Sequence, residues 1–182
     1  AFHAAMDNLR SRGLDDALTE EVIIYKKPFL GICLGMQLIA KDSVELGYST
    51  GLGWIDGHVL KLEPGSSYPV PHVGWNALAI ARDSSILSGV RNGAQMYFTH
   101  AYAAPVTPDS IATTTHGGTF AAAVERGNVF GVQFHPEKSG AAGLTILKNF
   151  VERCARGGDK RPRSAHSADP AYSARSALLP QP

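Results

Sequence analysis

Three side chains in this sequence could together carry out covalent chemistry: Cys33, His135 and Glu137. Cys33 sits in Gly31-Ile32-Cys33-Leu34-Gly35, where an apolar run of strand length gives way to a helix-like recurrence of Leu34, Leu38 and Ile39. Glycine two residues before and two after suits a sharp strand-to-helix turn, the thiol counterpart of the G-x-S-x-G nucleophile elbow. The sulfur would stand above the strand end and face the first N–H groups of the helix, which favour a thiolate. The N–H of Leu34 would be the first of them able to hold an oxyanion. Taken alone, the motif equally describes a small buried hydrophobe, as most free cysteines are, so the reading needs a partner residue.

The partner lies near the other end of the chain. Residues 129–134 read as a buried strand that ends in His135-Pro136-Glu137. Strand alternation would put His135 and Glu137 on one side, and Pro136 would end the ladder. A carboxylate beside a histidine fixes its tautomer and stabilises the imidazolium. If the two strands are parallel neighbours, their carboxyl ends meet along one rim, where open α/β sheets place their sites. Cys33 would then attack an amide or ester, His135 would act as base and then acid, and the product would be a thioester. The other six of the seven histidines lack metal-ligand spacing, so no metal is expected. Cys154 reads as core or helix-end filler.

The elements that must position these groups follow a helix–strand–helix grammar. Phe2, Met6 and Leu9 mark an amphipathic helix ended by Gly13. Leu14, Leu18 and Val22 mark a second, opened by Asp15-Asp16 and stopped by Pro28. The helix after Cys33 fades near Ser43, residues 47–53 are loop, and 57–62 alternate weakly as a strand. The cluster Pro71-His72-Val73-Gly74-Trp75-Asn76 suggests a hairpin corner with a packed Trp. Strands are expected at 77–81 and 95–102, and 111–115 with 119–125 form a hairpin about His116-Gly117-Gly118. Gly127-Asn128 is a second turn. The last helix starts near Ala141 and buries Leu144, Leu147, Phe150, Val151 and Cys154. The fold expected is α/β: a mixed, mostly parallel sheet with helices on both faces.

The 182 residues suit one domain, 1–156, followed by a disordered low-complexity tail at 157–182. A hydrophobic share of 44% and a charged share of 18% are enough to build a core. A net charge of +1 gives no electrostatic case for nucleic acid or a membrane partner. Two cysteines make no disulfide framework, which points to a reducing, cytoplasmic setting.

Gly31-Ile-Cys-Leu-Gly-Met-Gln37 and Gly131-Val-Gln-Phe-His-Pro-Glu-Lys138, in that order and about 100 residues apart, resemble the paired signature of the class I (triad) glutamine amidotransferases. The first motif is also similar to the glutaminase domain of CTP synthase. The 71–76 cluster, Tyr97-Phe-Thr-His-Ala-Tyr102 and Lys138-Ser139 resemble instead the glutaminase subunits of imidazole glycerol phosphate synthase. The resemblance implies a flavodoxin-like fold and glutamine hydrolysis without a cofactor. It also implies a heterodimer with a (β/α)₈-barrel cyclase that takes the ammonia into histidine biosynthesis. It makes Cys33, His135 and Glu137 the triad, and it places Leu34, Gln37, His100, Ala101 and Tyr102 around the glutamine. Val73, Trp75, Asn76 and Lys138 fall towards the partner. The family begins with further strands and a Pro-Gly-x-Gly oxyanion turn, which are expected to be missing here. On that reading the piece alone is poorly active, and a docking fragment stays open as an alternative.

Overall fold

The protein is described here from a computed structural model that covers residues 1–63, 65 and 68–157. The expected tail therefore lies, but for Gly157, outside the described residues. In chain order the helices are α1 (Phe2–Ser11), α2 (Leu14–Thr19), α3 (Leu34–Leu38) and α4 (Gly140–Gly157). The strands are β1 (Phe29–Ile32), β2 (Asp42–Ser43), β3 (Ser49–Thr50), β4 (His58–Lys61), β5 (His72–Ala77) and β6 (Ala79–Ile80), then β7 (Gln95–His100), β8 (Tyr102–Ala103), β9 (Ser110–His116), β10 (Gly118–Arg126) and β11 (Val129–Val132). Among these residues no helix is long and apolar enough to cross a membrane.

The central sheet runs β1-β11-β10-β9-β6. Its strand β11, Val-Phe-Gly-Val, shows no polar alternation because both of its faces are covered. Phe130 and Val132 join Phe134, Phe98 and, from α4, Ile146 in one core cluster. Val129 joins Phe2 and Met6 of α1 and Met36 of α3 in the other. Helices thus lie on both faces, as expected of this α/β class. The sheet is more antiparallel than expected: β1 and β11 are parallel, and the remaining three pairings are antiparallel. The β9–β10 and β10–β11 hairpins turn at Gly117 and Gly127, both with positive φ. A smaller sheet, β3-β2-β4-β8, and a two-stranded ribbon, β5-β7, complete the frame.

Four local expectations are corrected. The helix after Cys33 ends at Leu38 rather than near Ser43. The carbonyls of Leu38, Ile39 and Ala40, which would carry the helix on, instead accept N–H groups from Leu52, Trp54, Ile55 and Gly53. Residues 71–76 form no hairpin corner; most of the segment is β5, and Trp75 is 57% exposed rather than packed. The second helix passes into a π-helical turn at Glu20–Ile24. Finally, α4 presents a partly different stripe to the core, in which Phe150 packs against Phe130 as expected. Ile146 is fully buried, whereas Leu144 and Val151 are more than half exposed and Cys154 lies at the surface. Gly143 sets that rotation, because its bare Cα lies so close to the Pro136 carbonyl and Ser139 that no side chain would fit there.

Candidate active site

Cys33 occupies the turn between β1 and α3 with φ 50° and ψ −106°, a conformation costly for any residue with a Cβ. Its N–H donates to the Val132 carbonyl at 2.8 Å, so the strained residue is pinned to the neighbouring strand. Gly31 permits the bend: a Cβ there would come within 2.6 Å of the Gly35 backbone. Gly35, by contrast, faces open space, so only the first glycine of the motif is sterically required.

Contrary to the sequence expectation, the Cys33 thiol is held above its ordinary pKa. Burial is the main cause and the Glu137 carboxylate adds to it, while the Leu34 N–H, the Gln133 amide and the Lys138 ammonium pull the other way. A single-turn α3 supplies little dipole of its own, so the local N–H of Leu34 provides the thiolate-favouring contact.

The β1–β11 register matches Ile32 with Val132, so Cys33 and Gln133 leave the sheet side by side and His135 follows two residues on. β11 ends at Val132 rather than at Phe134. His135 and Glu137 therefore meet through the 3₁₀ turn Pro136–Lys138, not through strand alternation. His135 Nδ1 lies 2.8 Å from Glu137 Oε1. A carboxylate only accepts, so Nδ1 carries the proton and Nε2 of the neutral ring is left as a base. The backbone of His135 is fixed at both ends: its N–H donates to the Tyr97 carbonyl at 2.9 Å, and its carbonyl accepts from Ser139 Oγ at 2.6 Å. Ser139 Oγ also accepts the Tyr97 N–H at 3.0 Å. Strand β7 touches the cysteine too, since Sγ lies 4.0 Å from the Thr99 carbonyl. The structure thus draws the cysteine and the His–Glu pair to one end of adjacent parallel strands.

Gln37 is buried and donates from Nε2 to the Tyr102 carbonyl at 2.8 Å and to Gln133 Oε1 at 3.1 Å. The Ala101 carbonyl accepts the Leu62 N–H, and His100 Nδ1 lies 2.9 Å from the Tyr102 carbonyl. Gln37 and the 100–102 stretch are therefore contiguous beneath Cys33. Among the residues expected towards a partner, Val73 and Trp75 project from β5 and are each 57% exposed. Trp75 packs edge-on to Tyr97, and Lys138 Nζ stands 5.8 Å from the centre of the Tyr97 ring. Asn76 departs from this group. It alternates to the opposite face of β5, where Nδ2 donates to the Thr115 carbonyl at 2.8 Å.

Sequence reasoning missed Gln133 and Ser139. Gln133 is fully buried, and its Nε2 is 3.7 Å from Cys33 Sγ. The available signal was one polar residue inside an otherwise apolar, doubly covered run. Ser139 is also buried and gave no such signal.

Comparison with known proteins gives the family to which this fold belongs. The family model described as glutamine amidotransferase class-I matches residues 9–154. The imidazole glycerol phosphate synthase subunit HisH of Caulobacter vibrioides is 45% identical over 157 residues, which is 84% of this chain and 73% of the relative. The HisH subunit of Yersinia pseudotuberculosis is 48% identical over 150 residues, 82% of this chain and 74% of the relative. A crystal structure of a glutamine amidotransferase superposes with a TM-score of 0.59 at 19% identity, covering 81% of this chain and 71% of that one, which shows the shared fold. The chain belongs to the class-I glutamine amidotransferase family, and within it to the group of the imidazole glycerol phosphate synthase HisH subunits.

Proposed function

We propose that this chain is the glutaminase subunit of an imidazole glycerol phosphate synthase, with Cys33, His135 and Glu137 as its catalytic triad. The observation that supports this best is the placement of an oriented His135–Glu137 pair and a strained cysteine on adjacent parallel strand ends, in a chain 45–48% identical to HisH subunits. The thiol proton passes to His135 Nε2 as Sγ attacks the glutamine amide carbon. The Leu34 N–H faces the developing oxyanion. The C–N bond then breaks, with the His135 proton going to the leaving ammonia, and leaves a γ-glutamyl thioester on Cys33. Water, deprotonated by His135, cleaves the thioester to release glutamate and restore the thiol. Glu137 holds the imidazole tautomer and offsets the charge of the imidazolium. Gln37 and the backbone of 100–102 form the floor on which the glutamine rests.

The ammonia is used by a cyclase subunit, a (β/α)₈ barrel, which forms imidazole glycerol phosphate and an aminoimidazole carboxamide ribotide in the cytoplasm. Val73, Trp75 and Lys138 face that subunit, and Asn76 supports them from the far side of β5. A thiol held protonated by burial suits a site that stays quiet until its partner is bound, since ammonia released early would be lost to solvent.

The test is glutamate release with and without a cyclase and its ribotide, against a Cys33→Ala control. Cyclase-stimulated release that disappears in the control is expected. Release that ignores the cyclase would point to another amidotransferase, CTP synthase among them, and no release at all would favour a docking fragment.

A further inference from the structure

Next to the proposed glutamine site lies a cluster of three buried histidines, His72, His100 and His116, whose imidazole rings the catalytic scheme does not use. Two of them are joined in a chain whose polarity can be assigned atom by atom. His100 Nδ1 lies 2.9 Å from the Tyr102 carbonyl, which only accepts, so Nδ1 carries hydrogen. In the neutral ring Nε2 is then a bare acceptor, and it is 3.1 Å from His72 Nδ1. That contact requires the hydrogen on His72 Nδ1, which leaves His72 Nε2 to accept from Asn76 Nδ2 at 3.4 Å. Asn76 itself is oriented by two further bonds, Nδ2 to the Thr115 carbonyl and the Ala77 N–H to Oδ1.

The chain continues on the other side. The Tyr102 carbonyl that receives His100 also receives Gln37 Nε2, which in turn donates to Gln133 Oε1, and Gln133 Nε2 faces Cys33 Sγ. One uninterrupted path thus runs from β5, whose opposite face carries the exposed Val73 and Trp75, to the cysteine sulfur. It crosses four elements and makes full use of both nitrogens of His72 and His100.

We propose that His72 and His100 are positioning residues, which lock the Tyr102 carbonyl, Gln37 and Gln133 into the arrangement that orients Cys33 and couple that arrangement to β5. The functional part of this inference rests on the glutaminase reading above. Its physical part concerns only the cysteine and the network. Both rings must be neutral, because a second proton on His100 would set N–H against N–H at the 3.1 Å contact, and one on His72 would do the same at the 3.4 Å contact with Asn76 Nδ2. The environment agrees: burial, together with the neighbouring histidines, takes both rings down to about 4. His72 also stacks on His116 and on Phe98, with ring centres 4.0 Å and 4.9 Å apart. A phenylalanine would keep that packing and remove only the polar links.

Three measurements on the full chain test this. Nitrogen NMR of the wild-type histidine rings should show both His72 and His100 as neutral Nδ1–H tautomers at pH 7, and an Nε2–H tautomer in either ring would overturn the proposal. The second is the pH profile of Cys33 alkylation by iodoacetamide. His72→Phe should slow alkylation at neutral pH about three- to tenfold, as the donor from Gln133 loses its alignment and the thiolate is less favoured. His72→Asn, which retains a donor at the Nδ1 position, should restore most of that rate. The third is steady-state glutaminase kinetics, where His72→Phe should raise KM for glutamine about tenfold, the cost of one misaligned buried hydrogen bond. If His72→Phe lowers only the melting temperature and leaves both profile and KM unchanged, the histidines are structural filler and the idea fails. If the variant does not fold, the tautomer measurement still decides. Should the wild-type chain release no glutamate, the glutaminase reading fails, while the NMR and alkylation results continue to judge the relay.

Discussion

Glu137 acts in opposite directions on the other two members of the proposed triad. Its carboxylate fixes the His135 tautomer at 2.8 Å, and it also pushes the Cys33 thiol further up. Glu137→Gln should therefore separate reactivity from catalysis. Removing the charge lowers the thiol pKa, so alkylation of Cys33 at pH 8 should speed up by about two- to threefold. Glutamine hydrolysis should instead fall by on the order of 10²–10⁴, because the imidazolium loses its counter-charge and the ring its fixed tautomer. A parallel loss of both rates would show that Glu137 acts only by holding the fold. The sequence showed the residue types and their order. The net upward shift of the thiol was not legible in it, because burial comes from residues distant in sequence.

At the scale of elements, the elbow depends on how closely β1 and α3 approach. Gly31→Ala would drive a Cβ into the Gly35 backbone, and neither strand nor helix can give way without displacing Cys33. A loss of about 3 kcal/mol or more in urea unfolding is expected. Gly35→Ala meets nothing and lies within a helix, so it should be stabilising by up to about 1 kcal/mol. Equal losses for the two variants would mean that the turn is not crowded as described. The ribbon β5-β7 has a similar division of labour. One face offers Val73, Trp75 and Tyr97 outward, and the other packs His72, Phe98 and His100 inward. A strand at 95–102 was readable from its β-forming residues, but its pairing with 72–77 was not, since nothing local fixes which strand a ribbon will choose.

For the whole molecule, the buried histidines make stability depend on pH. Their folded pKa values, about 4, lie below the ordinary histidine value of about 6.5. Between those limits the unfolded chain binds more protons than the folded one, so stability is complete above pH 6.5 and is lost as the pH falls towards 4. His100, with its ring enclosed by Phe98, Phe120 and His72, should contribute up to about 1.4 kcal/mol per pH unit in that window. Chemical denaturation at pH 7, 6 and 5 checks this, and a flat profile would contradict the neutral, buried assignment. The sequence by itself determined the two motifs, the strand-then-helix setting of Cys33, the turns at Gly117 and Gly127 and the apolar run of β11, because these follow from local periodicity and backbone sterics. The tertiary structure alone decided that β1 and β11 are parallel neighbours, that α3 stops after one turn, that α4 seats Gly143 and Ile146 rather than Leu144 and Val151, and that the histidine pair is linked to Cys33 through the Tyr102 carbonyl, Gln37 and Gln133. The physical reason is the same in each case: these outcomes depend on which distant groups claim a carbonyl, a ring nitrogen or a packing surface, and that competition is settled only when the chain closes on itself.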